Sequence, residues 1–402
     1  MSNAWKIAFI GTIIHLFLGT VYAWSFFQVP IMELTQWNNL QTTMAFSLTI
    51  LSLGITASWA GGKLERYGTT KLTIMGGLLF GLGYILASLA LERTHLWGFY
   101  VSFGLVSGCG LGLAYVTPVA VVSQWFSKKQ GLATGMVVMG FGLGAFLMSK
   151  ILAPLFFELT GQNVALSFRY FGIGFMLIIP LLGMFLKLPT NINSSHHSVN
   201  EITSTQKSSG KALLIWLIFT LNIIVGMIFL SFQSPLLQEL ILKEEASVSK
   251  ETLTAAGATL IAVSAFFNGI GRLLWASLSD KIGRIIAFRW LIALEVICFS
   301  LLIVTQNVVL FCILVCLVLL CYGGGFGILP SLIKDEFGAE RMPKIYGIML
   351  TGWGIGGVIG TLSTAFLKDT FAHSAGMYAF CVGLVTVIIA LAISFLVKAR
   401  KP

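Results

Sequence analysis

Twelve apolar runs, each of twenty or more residues, succeed one another along this chain at about 5–30, 40–61, 71–91, 96–122, 131–156, 168–187, 212–236, 254–277, 286–305, 307–331, 343–367 and 375–398. A helix needs ~20 apolar residues to cross a bilayer, so each run is long enough for one span. Only 10% of the 402 residues are charged, against about 25% in a soluble domain. Hydrophobic residues make up 57%, and mean hydropathy is +0.92. A chain this long and this apolar cannot hide its surface from water in one soluble core. Lipid must serve as its solvent, and the expected fold is an all-α membrane protein with twelve transmembrane helices.

The net charge of +10 does not point to nucleic acid, because that function gathers Lys and Arg on one soluble face. Here they sit in short loops between apolar runs. With the amino terminus inside, eighteen fall on inside segments, Lys128, Lys129, Arg400 and Lys401 among them. Six fall outside, and Arg272 alone remains within a span. That asymmetry predicts both termini in the cytoplasm, of a bacterial inner membrane. The first run is as long as a span and has no small-residue cleavage site, so it is expected to be the first helix rather than a removed leader. All six cysteines (Cys109, Cys298, Cys312, Cys316, Cys321 and Cys381) lie in apolar segments. They read as small helix residues, not as a metal or disulfide framework.

Pro189 to Lys211 is rich in Ser, Asn and Thr and carries His196 and His197. It is expected to be a cytoplasmic linker (189–211) between six-helix bundles at 1–188 and 212–402. Its His pair reads as solvated loop. The bundles repeat: Gly112 and Gly324, Pro118 and Pro330, Gly135 and Gly347, Gly140 and Gly352, Gly142 and Gly354, and Gly144 and Gly356 all stand 212 apart. Duplicated halves with a solute site at their interface are a common build for secondary transporters. The glycines at Gly104, Gly108 and Gly112, and at Gly352, Gly356 and Gly360, recur every four residues, a spacing that lets helices pack closely. Gly352-x-Gly354-x-x-Gly357 matches a dinucleotide pattern but has no preceding strand, so that reading is rejected.

The loop after the second run reads Gly61-Gly62-Lys63-Leu64-Glu65-Arg66-Tyr67-Gly68, and that after the eighth Ala276-Ser277-Leu278-Ser279-Asp280-Lys281-Ile282-Gly283-Arg284. Each sets an acid and then a base where a helix end meets the cytoplasm. Glu65, Arg66, Asp280, Lys281 and Arg284 are therefore gating candidates, since such an acid can cap a helix or bind a base in one conformation only. A simple helix-loop cap with topogenic charges is the other reading. These loops, twelve spans and a linker resemble the major facilitator superfamily over the whole chain. Its signature Gly-x-Leu-x-Asp-Arg-x-Gly is met with Glu65 for the Asp, Lys63 at the Leu position, and Ala276 for the first Gly of the second copy. More specifically, Gly19-Thr20-Val21-Tyr22-Ala23-Trp24-Ser25-Phe26-Phe27, Gly110 to Pro118, Trp125-Phe126, Gly131 to Gly135 and Asn268-Gly269-Ile270-Gly271-Arg272 resemble the oxalate/formate antiporter family. The last of these is also similar to the related monocarboxylate porters.

Arg272 is the leading substrate-binding candidate. An Arg inside a span costs about 2.5–3.5 kcal/mol on insertion scales, stays charged, and offers a planar fork that matches a carboxylate. Asn268 lies one turn away on the same face. Only eight residues separate Arg272 from Asp280, so snorkelling to the cytoplasmic edge is the alternative reading. In the resembled families this Arg binds the substrate carboxylate. The oxalate carriers among them also carry a Lys in helix eleven, and the monocarboxylate porters often carry Asp at the position of Asn268. This chain has no Lys from Gly347 to Gly357 of helix eleven, and position 268 is Asn. One fixed cation suits a monoanion.

Tyr22, Trp24, Tyr115, Gln233, Tyr322 and Trp353 are expected to complete the pocket, with packing as the alternative for each. His15 and Glu295 are candidates for proton coupling, although Glu295 has no obvious partner and helix nine is usually peripheral in the resembled superfamily. No catalytic constellation, metal set, cofactor motif or ATP motif is read from the chain. The expected function is secondary transport of a small organic anion, a monocarboxylate of the lactate, pyruvate or formate type, by a monomer in the bilayer that binds no nucleic acid. The alternatives are proton-coupled transport of another solute, such as an amino acid or siderophore, and a membrane sensor or enzyme on a transporter fold. The last would need an added domain or a catalytic cluster.

Overall fold

The computed structural model describes residues 3–126, 130–189, 205–371 and 374–398. Among these residues every regular element is helical. Twelve helices are long and apolar enough to cross a membrane: α1 (Asn3–Thr35), α2 (Asn39–Gly61), α3 (Thr69–Glu92), α4 (Leu96–Trp125), α5 (Gly131–Leu159), α6 (Val164–Gly183), α7 (Gly210–Glu244), α8 (Lys250–Ile282), α9 (Arg284–Val304), α10 (Val308–Phe337), α11 (Met342–Phe371) and α12 (Ala375–Leu396). The expected linker core at 190–204, with His196 and His197, lies outside the described residues, as do Lys128, Lys129, Arg400 and Lys401. Residues 205–211, expected in the linker, already belong to a helix (Thr205–Glu244). Its Lys211 pairs with Glu336 of α10 at 2.6 Å.

Polar caps fix where several helices start, and α6 and α8 begin a turn before their apolar runs because such a cap holds the extra turn. Ser249 Oγ accepts from the Thr252 N–H at 3.2 Å and starts α8 at Lys250 rather than near 254. Asn38 and Gln41 form a reciprocal capping box before α2, at 2.7 and 3.1 Å. Asn163 and Asn307 cap α6 and α10 in the same way, each at 2.9 Å. Each cap satisfies an N–H that the helix leaves free, so a polar turn at the membrane edge stays helical.

The helices form two pseudo-symmetric bundles of six, α1–α6 and α7–α12, and glycines at the 212-residue offset make equivalent contacts in each. A Cβ at Gly140 would stand 2.1 Å from the Thr12 carbonyl oxygen of α1, and one at Gly352 would stand 2.4 Å from Thr220 Oγ1 of α7. Their neighbours Gly142 and Gly354 face the opposite bundle instead, against Gly269 of α8 and Leu51 of α2. The bundles meet along α2–α11 and α5–α8. There Gly54 and Gly61 sit on the carbonyls of Leu350 and Pro343, at would-be Cβ distances of 2.7 and 2.4 Å. Such backbone-to-backbone contact suits a seam that must slide.

α1 tightens into a 3-10 turn at Gly19–Ala23, beside the α5 backbone at Phe141. A Cβ at Gly19 would lie 2.0 Å from the Phe141 carbonyl oxygen, a clash that only a backbone shift relieves. Gly174 on α6 has nothing within 4 Å of its would-be Cβ. In detergent, Gly19→Ala is expected to lower the melting temperature by at least about 5 °C while Gly174→Ala stays within about 2 °C of the parent. Equal melting temperatures for the two variants would contradict the packing described.

Candidate functional site

Arg272 stands ten residues before the end of α8 at Ile282, about 15 Å in along the helix axis. Its side chain is fully buried and does not snorkel. Glycines fix the α8 backbone against α10 at this level: would-be Cβ atoms at Gly271 and Gly327 lie 2.1 Å from the Leu320 carbonyl oxygen and 2.0 Å from that of Arg272. Arg272 Nε donates to Asn268 Oδ1 at 3.3 Å. The guanidinium carbon lies 4.5 Å from the ring centre of Phe326 and 5.4 Å from that of Phe141. Cation–π contacts of this kind offset part of the burial cost, roughly 1–2 kcal/mol each when desolvated. Nη1 and Nη2 have no acceptor at ordinary hydrogen-bond geometry among the described residues, and the Tyr115 hydroxyl faces the guanidinium only loosely.

Around this cation stands an aromatic cage drawn from both bundles. Trp353 of α11 lies 4.7 Å from Phe326, 5.0 Å from Tyr115, 5.3 Å from Phe141 and 6.0 Å from Tyr22, ring centre to ring centre. Tyr22 of α1 and Tyr322 of α10 join the bundles by a hydroxyl–hydroxyl hydrogen bond of 2.5 Å. Tyr346 of α11 interacts electrostatically with Tyr115 and Arg272. Asn268 Nδ2 is buried without a partner, and Trp353 Nε1 and the hydroxyls of Tyr115 and Tyr346 are buried with only loose contacts, to Tyr322 and to each other. Every one of these groups can donate, and they surround a fixed positive charge. The chemical complement is a small body bearing a negative charge.

Of the residues expected in the pocket, the structure thus brings together Arg272, Asn268, Tyr22, Tyr115, Tyr322 and Trp353. Trp24 and Gln233 lie elsewhere. Trp24 is two positions beyond Tyr22, which turns it to the far side of α1. There it stacks on Phe46 at 5.5 Å and Phe103 at 5.4 Å inside its own bundle. Gln233 accepts a hydrogen bond from Ser264 Oγ at 2.7 Å. It lies seven residues along α7 from Gly226, the position that meets the Tyr322 ring, or about 10 Å of rise.

His15 Nε2 lies 2.9 Å from the Tyr115 carbonyl oxygen. A carbonyl only accepts, so Nε2 carries the hydrogen. The imidazole stacks on the Tyr115 ring at 4.6 Å, behind the cage wall. Glu295, for which the sequence suggested no partner, is fully buried and takes a 2.9 Å hydrogen bond from Asn222 Nδ2 of α7.

Phe141, Phe326 and Tyr346 were not singled out from the sequence. A signal for two of them was there. Gly140-Phe141-Gly142, Gly325-Phe326-Gly327 and Gly352-Trp353-Gly354 each set one aromatic between two glycines. The glycines bring the helix close to its neighbours, and the ring between them has the space they leave.

Two sets of contacts close the seam between the bundles. On the face that holds the start of α1, Asp280 packs over the first turn of α5, and a Cβ at Gly131 would lie 2.8 Å from both carboxylate oxygens. A carboxylate is stabilised at a helix N-terminus by the free N–H groups and the dipole. Arg284 steadies it, with Nη1 2.5 Å from Asp280 and Nε 3.0 Å from Asp335 of α10. Glu65, Arg66 and Lys281 are exposed. Glu65 has no hydrogen bond or ion pair among the described residues, and Arg66 lies over its neighbour Tyr67 at 5.5 Å. On the opposite face, Asp369 of α11 accepts from the Leu40 N–H and Asn39 Nδ2 at the start of α2, both at 2.9 Å. Lys250 pairs with Glu33 at 2.5 Å, and the buried hydroxyls of Ser47 and Thr361 share a hydrogen bond.

Residues 8–241 and 219–402 match the family model described as Major Facilitator Superfamily. The chain is 23% identical to the oxalate:formate antiporter of Oxalobacter formigenes, across 91% of this chain and 88% of that one. It is also 23% identical to apicoplast pyruvate carrier 1 of Toxoplasma gondii, across 98% and 88%. Among solved structures, the Major Facilitator Superfamily transporter FucP in the outward conformation aligns with a TM-score of 0.70 at 15% identity, across 98% of this chain and 99% of that one. The likeness to FucP is one of fold.

Asp369→Ala removes the cap from α2 and is expected to shift the population towards opening on that face. In a background freed of native cysteines, a Cys placed at buried Thr361 should react with maleimide at least about threefold faster when Asp369 is replaced. An unchanged rate would mean that Asp369 has no share in the closure.

Proposed function

The chain belongs to the major facilitator superfamily, and on that premise we propose that it carries a small monocarboxylate of the lactate, pyruvate or formate type by alternating access. It is a membrane transporter, not an enzyme. One observation carries the choice of cargo: a fully buried guanidinium whose two terminal nitrogens have no acceptor at ordinary hydrogen-bond geometry among the described residues, inside an otherwise aromatic cage. A carboxylate can accept from both Nη atoms at once, in the paired geometry that makes Arg–carboxylate bonds strong. The tyrosine hydroxyls and Trp353 Nε1 are available to the rest of a 2-oxo or 2-hydroxy acid.

Charge and size support a monoanion. The cage has one cation, and the two lysines of α11, Lys344 and Lys368, stand at its ends away from Trp353, so a second carboxylate would stay uncompensated in a site where desolvation is costly. Rings 4.7 to 6.0 Å apart between centres are in edge-to-face contact, so a solute must part them and a small one disturbs them least. An amino acid would need a counter-charge for its ammonium, and no carboxylate lines the cage among the described residues. Because α8, α10 and α11 contribute from one bundle and α1, α4 and α5 from the other, a bound solute ties the two together. That is how binding can favour the closed state through which the carrier must pass. Asp280 with Arg284 serves as the latch on one face, and Glu65 with Arg66 and Lys281 as its partners in another conformation. The Lys and Arg asymmetry supports cytoplasmic termini in a bacterial inner membrane.

Uptake of labelled pyruvate, lactate and formate into proteoliposomes tests the proposal. The wild type should accumulate at least one of them. Arg272→Ala should reduce that uptake by about a hundredfold, and Arg272→Lys should restore little, because an ammonium is not a planar fork. Trp24→Phe, outside the cage, should stay within about twofold of wild type. Undiminished uptake by Arg272→Ala would leave the cargo without its anchor.

A further inference from the structure

We infer that Glu295 is a proton-binding site, separate from the anion cage, through which this carrier couples a proton to its solute; the inference rests on the monocarboxylate reading above. Glu295 is the one fully buried acid among the described residues. Its Oε1 accepts from Asn222 Nδ2 at 2.9 Å. The other ends of the same two side chains, Glu295 Oε2 and Asn222 Oδ1, are both buried acceptors without a donor. Two orphaned acceptors on side chains already joined have a simple remedy. A proton on Oε2 makes the carboxyl a donor and lets acid and amide satisfy each other. An ionised carboxylate would leave both orphans in place.

Nothing basic faces this group. The titratable groups within its electrostatic reach are the thiols of Cys298, one turn along α9, and Cys321 of α10. The α7 side presents Asn222, and α8 and α12 turn no charged group towards it among the described residues. Arg289, lower on α9, is held by the carbonyls of Ser394 and Val397 at 3.1 and 2.9 Å. With α7, α9 and α10 placed as they are here the acid is therefore neutral, and it can ionise only when a shift of α10 disturbs the Asn222 contact.

Its link to the cage is α10. Asn222 Oδ1 lies against Gly325, 2.4 Å from where a Cβ would stand. The next residue, Phe326, is the ring beneath Arg272. Movement of α10 on solute release therefore also disturbs the Asn222 contact. Charge then accounts for both strokes. Loaded, the carrier holds Arg272 positive, the solute negative and Glu295 protonated. Empty, it holds Arg272 positive and Glu295 negative. The sum is zero each time, and one proton enters and leaves with each anion. With a residue that is always neutral at 295, the empty carrier would have to return with an uncompensated positive charge in hydrocarbon, which is disfavoured.

Glu295→Gln mimics the protonated acid and tests this. In proteoliposomes, net uptake of labelled pyruvate, lactate or formate driven by an inward proton gradient should fall at least about tenfold in E295Q. Exchange of external for internal solute at equal pH should stay within about twofold, since exchange never returns an empty carrier. Full gradient-driven uptake by E295Q, or a wild type indifferent to the gradient, overturns the inference. A wild type that moves none of the three acids defeats the cargo reading instead, and infrared spectroscopy of the purified protein then decides on Glu295 alone. A carboxylic-acid carbonyl band should be present at neutral pH and absent from E295Q. Its absence from the wild type, or its persistence in E295Q, overturns the proton site. The wild-type band keeps the question decidable should E295Q fail to fold.

Discussion

An arginine guanidinium is enclosed here between two six-helix bundles, with no carboxylate beside it among the described residues. Burial of such a group is tolerated only when something answers its charge and its hydrogen bonds. Two aromatic faces and one amide oxygen answer part of the need. Neither satisfies the two terminal nitrogens, and the surrounding hydroxyls and indole are themselves short of acceptors. The site is left short of one anion, and the rest of the molecule can be understood as the machinery that presents this unmet need to each side in turn. The tilt of α1 at its 3-10 turn, the pressing of α8 on α10 and the placing of aromatics between glycines all serve to hold the cage around that one group.

A cage made by both bundles has to come apart, and the seam is built for it. Where α2 meets α11 and α5 meets α8, backbones touch through glycine and carbonyl oxygen rather than through interlocked side chains, so sliding does not require repacking a core. The closures at the two ends are polar and sit near water, where single ion pairs contribute about 0–1 kcal/mol. Closures this weak can be exchanged, one face for the other, by the binding energy of a small solute. On each face the larger element is the same device: a carboxylate of the second bundle, Asp280 or Asp369, laid on the N-terminus of a helix of the first.

Most of the fold was legible in the chain because membrane spans are set by length and apolarity alone. The 212-residue offset announced the duplication, and the glycines carrying it proved to make equivalent contacts in the two halves. Helix ends were less legible, since Ser249 and Asn163 extend their helices by capping and a search for apolar runs does not register caps. Arg272 could be picked out because a charge in a span is conspicuous. The wall of its cage was harder. Phe141 and Phe326 are two phenylalanines among thirty-one, and only the glycines on either side set them apart. Trp24 and Gln233 drew notice by residue type, but helical phase and depth, which depend on neighbouring helices, took them out of the cage. Asn222 is polar in an apolar span and 73 residues from Glu295. Nothing in sequence spacing joins that pair; it exists because α7 and α9 both pack on α10 and α12, which brings the two side chains within reach.

The residue beside the guanidinium deserves the last step. An acid in place of Asn268, one turn from Arg272, would pair with it whenever the cage is empty and would keep the empty carrier neutral. It would also compete with every solute for the same two nitrogens. With Asn268 the amide oxygen holds only Nε, at 3.3 Å, and the fork stays open to an anion. The neutralising acid then has to stand somewhere else in the same moving unit, out of reach of the fork but in touch with the helix that feels it. Glu295 meets those conditions through Asn222 and α10. In the proposed cycle, separating the anion's charge partner from the proton's binding site would let the anion bind at full strength while the empty carrier crosses without net charge. The two requirements conflict when one pair of residues must meet both.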